Sequence, residues 1–481
     1  MHVSHISRLP VSSVVFGALS SISLGWLSYY AIQDTIRRAT IRSRRKKFPL
    51  DNRVVGPLKY HAKEHLNAIK TDKHIHHTLK EPQSPILEWH GQAQQKELQS
   101  IKSRFAPLRV LGRYVNPFPE WRETGVWELL YWKLIHSMLQ KPRRMAWDGA
   151  LAADLATDSG KKRVEELLPV HSLDKERLWG TTKNQPCAEA DSMTYTWIGQ
   201  STCLIQMNGL NILTDPVFGL QPIESIFSPT RMRPMPCTIE DLTYGKIDVV
   251  LISHDHFDHF QLSTIRHLSQ ASFWIVPKGV SHHLIANGIP KERITELSWW
   301  DEMKLNLTVQ ARKGEKVQRV DRTLEITATP SMHWTGRSLL DVNRSLWCSY
   351  VIRVSPSHAI SEVKSRSFFF CCDSGYTSLT FSSIGRALGP VDAAAIPIGS
   401  YRPRWFMSIQ HVSVVGSPHD ALRIAADVGS KQNFATHWGT WCMSDERWDE
   451  PLLDLKTALD KENLSHDYLI TLPFGKTVQV K

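Results

Sequence analysis

Four side chains able to hold a divalent cation fall within six residues of this sequence: His254, His256, Asp258 and His259, in the run HDHFDH. Imidazole and carboxylate together suit zinc or another first-row divalent metal. The run directly follows IDVVLIS (Ile247 to Ser253), a short apolar stretch that reads as a buried strand. Open α/β folds place their chemistry at such strand ends. Along an extended segment His254 and His256 point the same way, and a turn at Phe257 brings Asp258 and His259 toward a second ion. A surface cluster at a turn is the plain alternative, and the density of ligand types makes it the weaker one.

Other candidates stand at the ends of β-prone runs. His333 follows LEITATPSM, Asp373 follows FFFCC, and His437 follows QNFAT. Taken singly, each has an ordinary explanation as a satisfied buried histidine or a turn aspartate. Repeated beside HDHFDH, the pattern argues for one site assembled from several loops, although spacing alone does not prove convergence. The run HIHH (His74 to His77) is a lesser candidate, because adjacent side chains in a helix or coil do not form a preorganised shell.

The elements that would carry these residues begin near Met193. TYTWIGQSTCLIQM and LNILTDPVF are β-prone runs joined through Asn208–Gly209, the strongest short-range hairpin signal. ASFWIVP, LWCSYVIRV, SRSFFFCCD and VDAAAIPIG continue the series, with helical stretches at Phe260 to Ser269 and Ser417 to Val428. The class is α/β, with sheets covered by helices. Upstream, Gly125 to Leu139 predicts a helix whose apolar face holds Trp127, Leu130, Tyr131, Leu134, Ile135 and Leu139, packed on a core or turned to lipid. A second helix is expected over Gly160 to Leu168.

The chain has 481 residues and a formal charge of +11, and its 42% hydrophobic content excludes wholesale disorder. Seven cysteines do not make a disulfide scaffold at this length, and the odd number leaves at least one thiol unpaired. Eight Lys or Arg against one acid, Asp34, give residues 1–50 a net +7, which leaves +4 for the other 431. The body therefore lacks the electrostatic footprint of a nucleic-acid binder. Leu9 to Gln33 carries no formal charge, and twenty such residues in a helix reach across about 30 Å of hydrocarbon. Trp26, Tyr29 and Tyr30 near one end, then the basic cluster, suggest a single membrane anchor with the body on the cytoplasmic or matrix side. A removed targeting segment and a peripheral tail are the alternatives. Four regions follow: an anchor or targeting segment at 1–50, a polar linker at 51–110, an aromatic and helical extension at 111–192, and a catalytic domain at 193–481.

At this point the sequence resembles the metallo-β-lactamase-fold hydrolases, whose HxHxDH motif it matches without gaps. Within that group it resembles the N-acyl-phosphatidylethanolamine-hydrolysing phospholipases D and their fungal relatives. The closer resemblance runs from about Gly112 to the C-terminus through RYVNPFPEW, TWIGQST, NILTDPVF, LISHDHFDH, PSMHW, DSGY, AAIPIGSYRPRWFM, QHV and HWGTW. HDHFDH alone identifies the broad group, and the later long motifs are the more specific.

The resemblance implies an αββα sandwich holding two zinc ions. It assigns His254, His256 and His333 to one ion, Asp258, His259 and His437 to the other, and Asp373 as the bridging carboxylate. His411 matches a further active-site histidine outside the ligand set, a candidate for positioning substrate or leaving group. Asp215 is implied to support the metal shell from behind; its bland reading is a turn carboxylate. Gln200 departs from the histidine many members carry in a GHxS-like loop, which weakens transfer of a supporting role to that loop. The implied activity is zinc-dependent hydrolysis of a membrane phospholipid, N-acyl-phosphatidylethanolamine, to an N-acylethanolamine and phosphatidic acid. The implied location is a mitochondrial membrane, with endoplasmic reticulum as the alternative. Another metal-dependent ester or phosphodiester hydrolysis is the competing enzyme class, and a non-catalytic membrane scaffold the competing class outside enzymes.

Overall fold

The computed structural model describes residues 11–50, 92–122, 126–136, 149–180, 188–225, 228–244, 246–269, 271, 273–338, 340–357, 363–407 and 418–481. His74 to His77 and His411 lie outside these residues. The strands are β1 (Leu108–Val110), β2 (Arg113–Val115), β3 (Met193–Gly199), β4 (Thr202–Met207), β5 (Leu210–Thr214), β6 (Val249–Leu251), β7 (Phe273–Pro277) and β8 (Ile294–Leu297). They continue with β9 (Glu302–Lys313), β10 (Lys316–Thr329), β11 (Ser349–Pro356), β12 (Arg366–Phe370), β13 (Val391–Pro397), β14 (Ser430–Thr436) and β15 (Thr477–Gln479). The longer helices are α1 (Val11–Lys47), α2 (Gln92–Arg104), α3 (Asp158–Leu167), α4 (Ser378–Leu388), α5 (His419–Val428) and α6 (Glu450–Lys461).

Two mixed sheets face each other. One has seven strands in the order β15-β3-β4-β5-β6-β7-β8, and the other six in the order β14-β13-β12-β11-β10-β9. Period-two alternation explains why the first sheet is buried on both sides. Ile205, Ile212, Val249, Leu251 and Ile275 join the core between the sheets, together with Ile326, Tyr350, Phe368 and Phe434 of the second sheet. Their neighbours Leu204, Leu213, Val250, Trp274 and Val276 fill a separate core on the outer face with Ile265 and Leu284. Those two residues lie in the helices Leu262–His267 and Ser281–Ala286. The result is an αββα layering of helix, sheet, sheet and helix.

The turn expected at Asn208–Gly209 joins β4 to β5, with φ of 49° and 93° at its two residues. Both positive values fit the primed turn that matches strand twist. The helix expected at Gly160 to Leu168 is α3, capped by the Thr157 side chain accepting from the Gly160 N–H. The long β9–β10 hairpin was only half legible. Mixed polar and apolar residues of β9 give an edge strand no continuous apolar run.

Of the expected apolar face near Gly125, the described residues Leu130, Tyr131 and Ile135 are exposed, which fits the lipid-facing alternative better than packing on a core. Val126–Leu130 is α-helical and Tyr131–His136 is a π-helical turn. Trp132, beside them, packs on Phe406 and Met407. The expected membrane span is not supported. Among the described residues no helix is long and apolar enough to cross a membrane. Six serines dilute the apolar residues of α1 before Asp34, and the helix then runs on through the basic cluster to Lys47. Its second half packs against the body, burying Ile41 and Arg37. There Arg44 donates to the carbonyls of Ala106 and Pro107.

Candidate metal centre

Each candidate among the described residues lies just beyond the C-terminal end of a strand, and all of these ends gather at one edge of the sandwich. Gln200 follows β3, Asp215 follows β5, and the 254–259 run follows β6. His333 follows β10, Asp373 follows β12 and His437 follows β14. The chain turns sharply at these exits. Gln200, Asp215, Cys372 and His437 have φ of 51°, 36°, 52° and 57°. Non-glycine residues held there cost on the order of 1 kcal/mol or more each, and such strain gathers where geometry serves function. Gly399 has a related role, since a Cβ there would sit 2.2 Å from the His437 carbonyl oxygen.

Two groups of ligand atoms result. His254 Nε2 is 2.9 Å from His256 Nδ1, which is 3.2 Å from His333 Nε2. In the second group Asp258 Oδ2 is 3.2 Å from both His259 Nε2 and His437 Nε2. Asp373 Oδ2 belongs to the second group, at 3.2 Å from His259 Nε2 and His437 Nε2, and reaches toward the first at 3.6 Å from His333 Nε2. All seven side chains are buried except His256, which is half-buried and packs edge-on against Trp334.

The residues fit a pair of divalent ions. Ligand atoms about 2.0–2.1 Å from a tetrahedral cation stand roughly 3.3 Å apart, close to the spacings seen. The backs of the rings fix which nitrogen faces inward. His254 Nδ1 is 2.9 Å from Ser253 Oγ, and that hydroxyl donates to Asp215 Oδ2 at 2.6 Å. The hydroxyl is thus an acceptor for the Nδ1 proton, which leaves the Nε2 lone pair toward the cluster. His259 Nδ1 donates to Asp215 Oδ2 at 2.8 Å in the same way. His259 Nε2 is buried without a hydrogen bond although two carboxylate oxygens lie 3.2 Å away, as expected of atoms aimed at a shared ion.

The electrostatics divide the groups. Burial, then the neighbouring rings of His259, His256 and His333, hold His254 well below the usual histidine range, so it is a neutral donor. Burial opposes charge on His259 and His437 too. Asp373 and Asp258 overcome it, lifting His259 well above the usual range and His437 to about 9. Asp258 is held well below the carboxylate range against its burial, chiefly by His259. The second group thus concentrates the negative charge that a cation would replace protons to reach.

Sequence reasoning missed three supporting residues. Gln200 Nε2 donates to Asp258 Oδ2 at 2.8 Å, so the departing loop does hold a candidate ligand. Ser253 ties Asp215 to His254 through its backbone N–H and hydroxyl. Asn116 donates to the His333 carbonyl at 2.8 Å. A glutamine, a serine and an asparagine carry no ligand signal in sequence; only the position of Ser253 beside HDHFDH marked it. Asp255, within the motif, turns away and accepts from the Gly336 N–H and the Ser345 hydroxyl.

Residues 210–438 match the Beta-lactamase superfamily domain, a span containing every candidate ligand. Fold and site together define a metal-dependent hydrolase. The chain is 31% identical over 374 residues to the mitochondrial N-acyl-phosphatidylethanolamine-hydrolyzing phospholipase D of Saccharomyces cerevisiae, covering 72% of this chain and 71% of that one. It is 30% identical over 327 residues to the N-acyl-phosphatidylethanolamine-hydrolyzing phospholipase D 1 of Caenorhabditis elegans, covering 66% and 82%. The chain belongs to the family of N-acyl-phosphatidylethanolamine-hydrolysing phospholipases D.

Proposed function

We propose that this protein hydrolyses N-acyl-phosphatidylethanolamine to an N-acylethanolamine and phosphatidic acid, with two zinc ions held by His254, His256, Asp258, His259, His333, Asp373 and His437. The observation that carries the reading is Asp373 Oδ2, one carboxylate oxygen within 3.6 Å of His333 in the three-histidine group and within 3.2 Å of His259 and His437 in the other. The names of the yeast and nematode relatives support the substrate. Bound there, paired divalent cations supply charge neutralisation at the phosphoryl oxygens and water activation at neutral pH.

The chain's own residues do the rest. The three histidines and Asp373 fix one half of the site, and Asp258, His259 and His437 fix the other. Asp215 and Gln200 keep rings and carboxylate turned inward. Half-buried His256 marks the side open to solvent, where the phosphodiester of a lipid headgroup enters. His411 is assigned to positioning substrate or leaving group: its replacement should slow turnover and leave the metal content intact.

The same reading places α1 at a bilayer surface and the protein in mitochondria, the compartment in the yeast relative's name. Val15, Leu19, Ile22, Leu24, Leu27 and Ile32 are exposed along the helix, followed by exposed Arg42, Arg45, Lys46 and Lys47. Apolar contact followed by basic residues suits an anionic lipid surface. Flotation with vesicles containing and lacking anionic lipid tests it. Binding that ignores both lipid charge and loss of these apolar residues argues against the assignment.

A further inference from the structure

The motif RYVNPFPEW (Arg113–Trp121) contributes no candidate ligand, yet it lies between α1 and the metal centre. Beyond β2 the chain is buried at Asn116, Phe118 and Trp121. On one side this segment holds the His333 loop. Asn116 Nδ2 donates to the His333 carbonyl at 2.8 Å, and the Tyr114 N–H donates to the Asn343 carbonyl at 2.8 Å. The Asn343 N–H in turn donates to the carbonyl of Thr335 at 2.9 Å, two residues past His333.

On the other side its carbonyls meet Arg37. Arg37 is 1% exposed, although it belongs to a helix with much of its surface in solvent. Nη1 donates to the Phe118 carbonyl at 2.8 Å and, at 3.5 Å, to that of Asn116. Nη2 donates to the Trp121 carbonyl at 3.1 Å and to Asp34 Oδ1 at 2.8 Å. One planar fork thus gathers three carbonyls of a single turn, a task for which a lysine point charge lacks the geometry. Asp34, the lone acid of the first fifty residues, orients it.

We propose that Arg37 and Asn116 are positioning residues of the metal centre. Arg37 fixes the Asn116–Trp121 turn, and Asn116 holds the backbone of His333 so that its Nε2 meets His254 and His256. The inference rests on reading those three histidines as metal ligands. It makes the second half of α1 part of the hydrolase rather than a dispensable address, so deletion of residues 1–50 removes more than a lipid contact.

The test uses full-length protein stripped of metal and titrated with Co²⁺, reading stoichiometry, affinity and the visible absorption of each ion. His256→Ala serves as the reference for loss of the three-histidine site. Asn116→Ala and Arg37→Gln are each expected to weaken that ion by about 10- to 100-fold, the usual effect of losing an outer partner. They should alter its absorption and leave the Asp258-side ion as in wild type. The double variant should lose little more than either single one, because both act along one path. Unchanged affinity in both variants overturns the proposal. So does joint loss of both ions with the near-ultraviolet circular dichroism, which marks a role in the fold alone. A wild type that binds no ion overturns the metal reading beneath it.

Discussion

Asp215 Oδ2 accepts from His259 Nδ1 at 2.8 Å while the opposite nitrogen of that ring faces Asp258 and Asp373. The same carboxyl takes the backbone N–H of Ser253 on Oδ1 and its hydroxyl on Oδ2. One fully buried side chain therefore sets the orientation of a candidate ligand on each side of the cluster. Asp215→Asn keeps the shape but replaces an accepting oxygen with a donor. Metal affinity should fall about 10- to 100-fold, with His259 held less firmly. Equilibrium dialysis against zinc checks this, and unchanged affinity for both ions argues that Asp215 is only a turn carboxylate.

Asp373 carries the heavier consequence. Its Oδ2 lies within 3.6 Å of nitrogens from both groups, so Asp373→Ala removes a ligand atom from each. Hydrolysis should drop by more than about 100-fold, beyond the loss of a supporting partner, and occupancy of both ions should fall together. Full occupancy with wild-type turnover contradicts a shared role.

Gln200 offers a milder test. Its amide donates to Asp258 Oδ2, and its backbone carbonyl accepts from the His437 N–H at 3.0 Å. Gln200→Leu removes only the first of these bonds. Affinity on the Asp258 side should weaken by about tenfold, and Gln200→His should restore much of it by replacing the donor. Equal metal binding in wild type and the leucine variant sinks the assignment.

Stability should depend on pH through Asp427, near the C-terminal end of α5. Burial pushes its carboxyl up to about 7, against hydrogen bonds from Tyr376 and Ser382 and the charge of Arg423. A raised carboxyl binds its proton more tightly folded than unfolded. Its favourable contribution is present in acid and lost as pH climbs from the unfolded value of 3.8 through about 7. Asp427→Asn cannot ionise and still accepts from Tyr376. Melting temperatures from about pH 5 to pH 8 should therefore fall more for wild type than for the variant. Parallel curves contradict this.

The site was legible in sequence to the extent that its residues carry chemistry themselves. HDHFDH drew notice as a candidate metal group, and His333, Asp373 and His437 as polar residues closing apolar runs. Their convergence was not legible, because it depends on two sheets bringing the ends of β6, β10, β12 and β14 to one edge. Gln200, Ser253 and Asn116 act only through hydrogen bonds whose partners lie elsewhere in the chain, except for adjacent His254. The fold class followed from alternating β-prone and helical stretches. Which way the Val126–His136 element turns its apolar residues did not, since exposure of Leu130, Tyr131 and Ile135 and burial of Trp132 depend on what packs beside it. At the N-terminus, an uncharged stretch suggested a span, but serines weaken its apolarity and Arg37 ties its far end to the body.

The most direct measurement is incubation of purified, zinc-loaded protein with defined phospholipids, with bound metal counted and the released products resolved by mass. The account predicts two ions per chain, with N-acylethanolamine and phosphatidic acid formed from N-acyl-phosphatidylethanolamine and abolished by chelation. Two bound ions with no turnover of any phospholipid would contradict it.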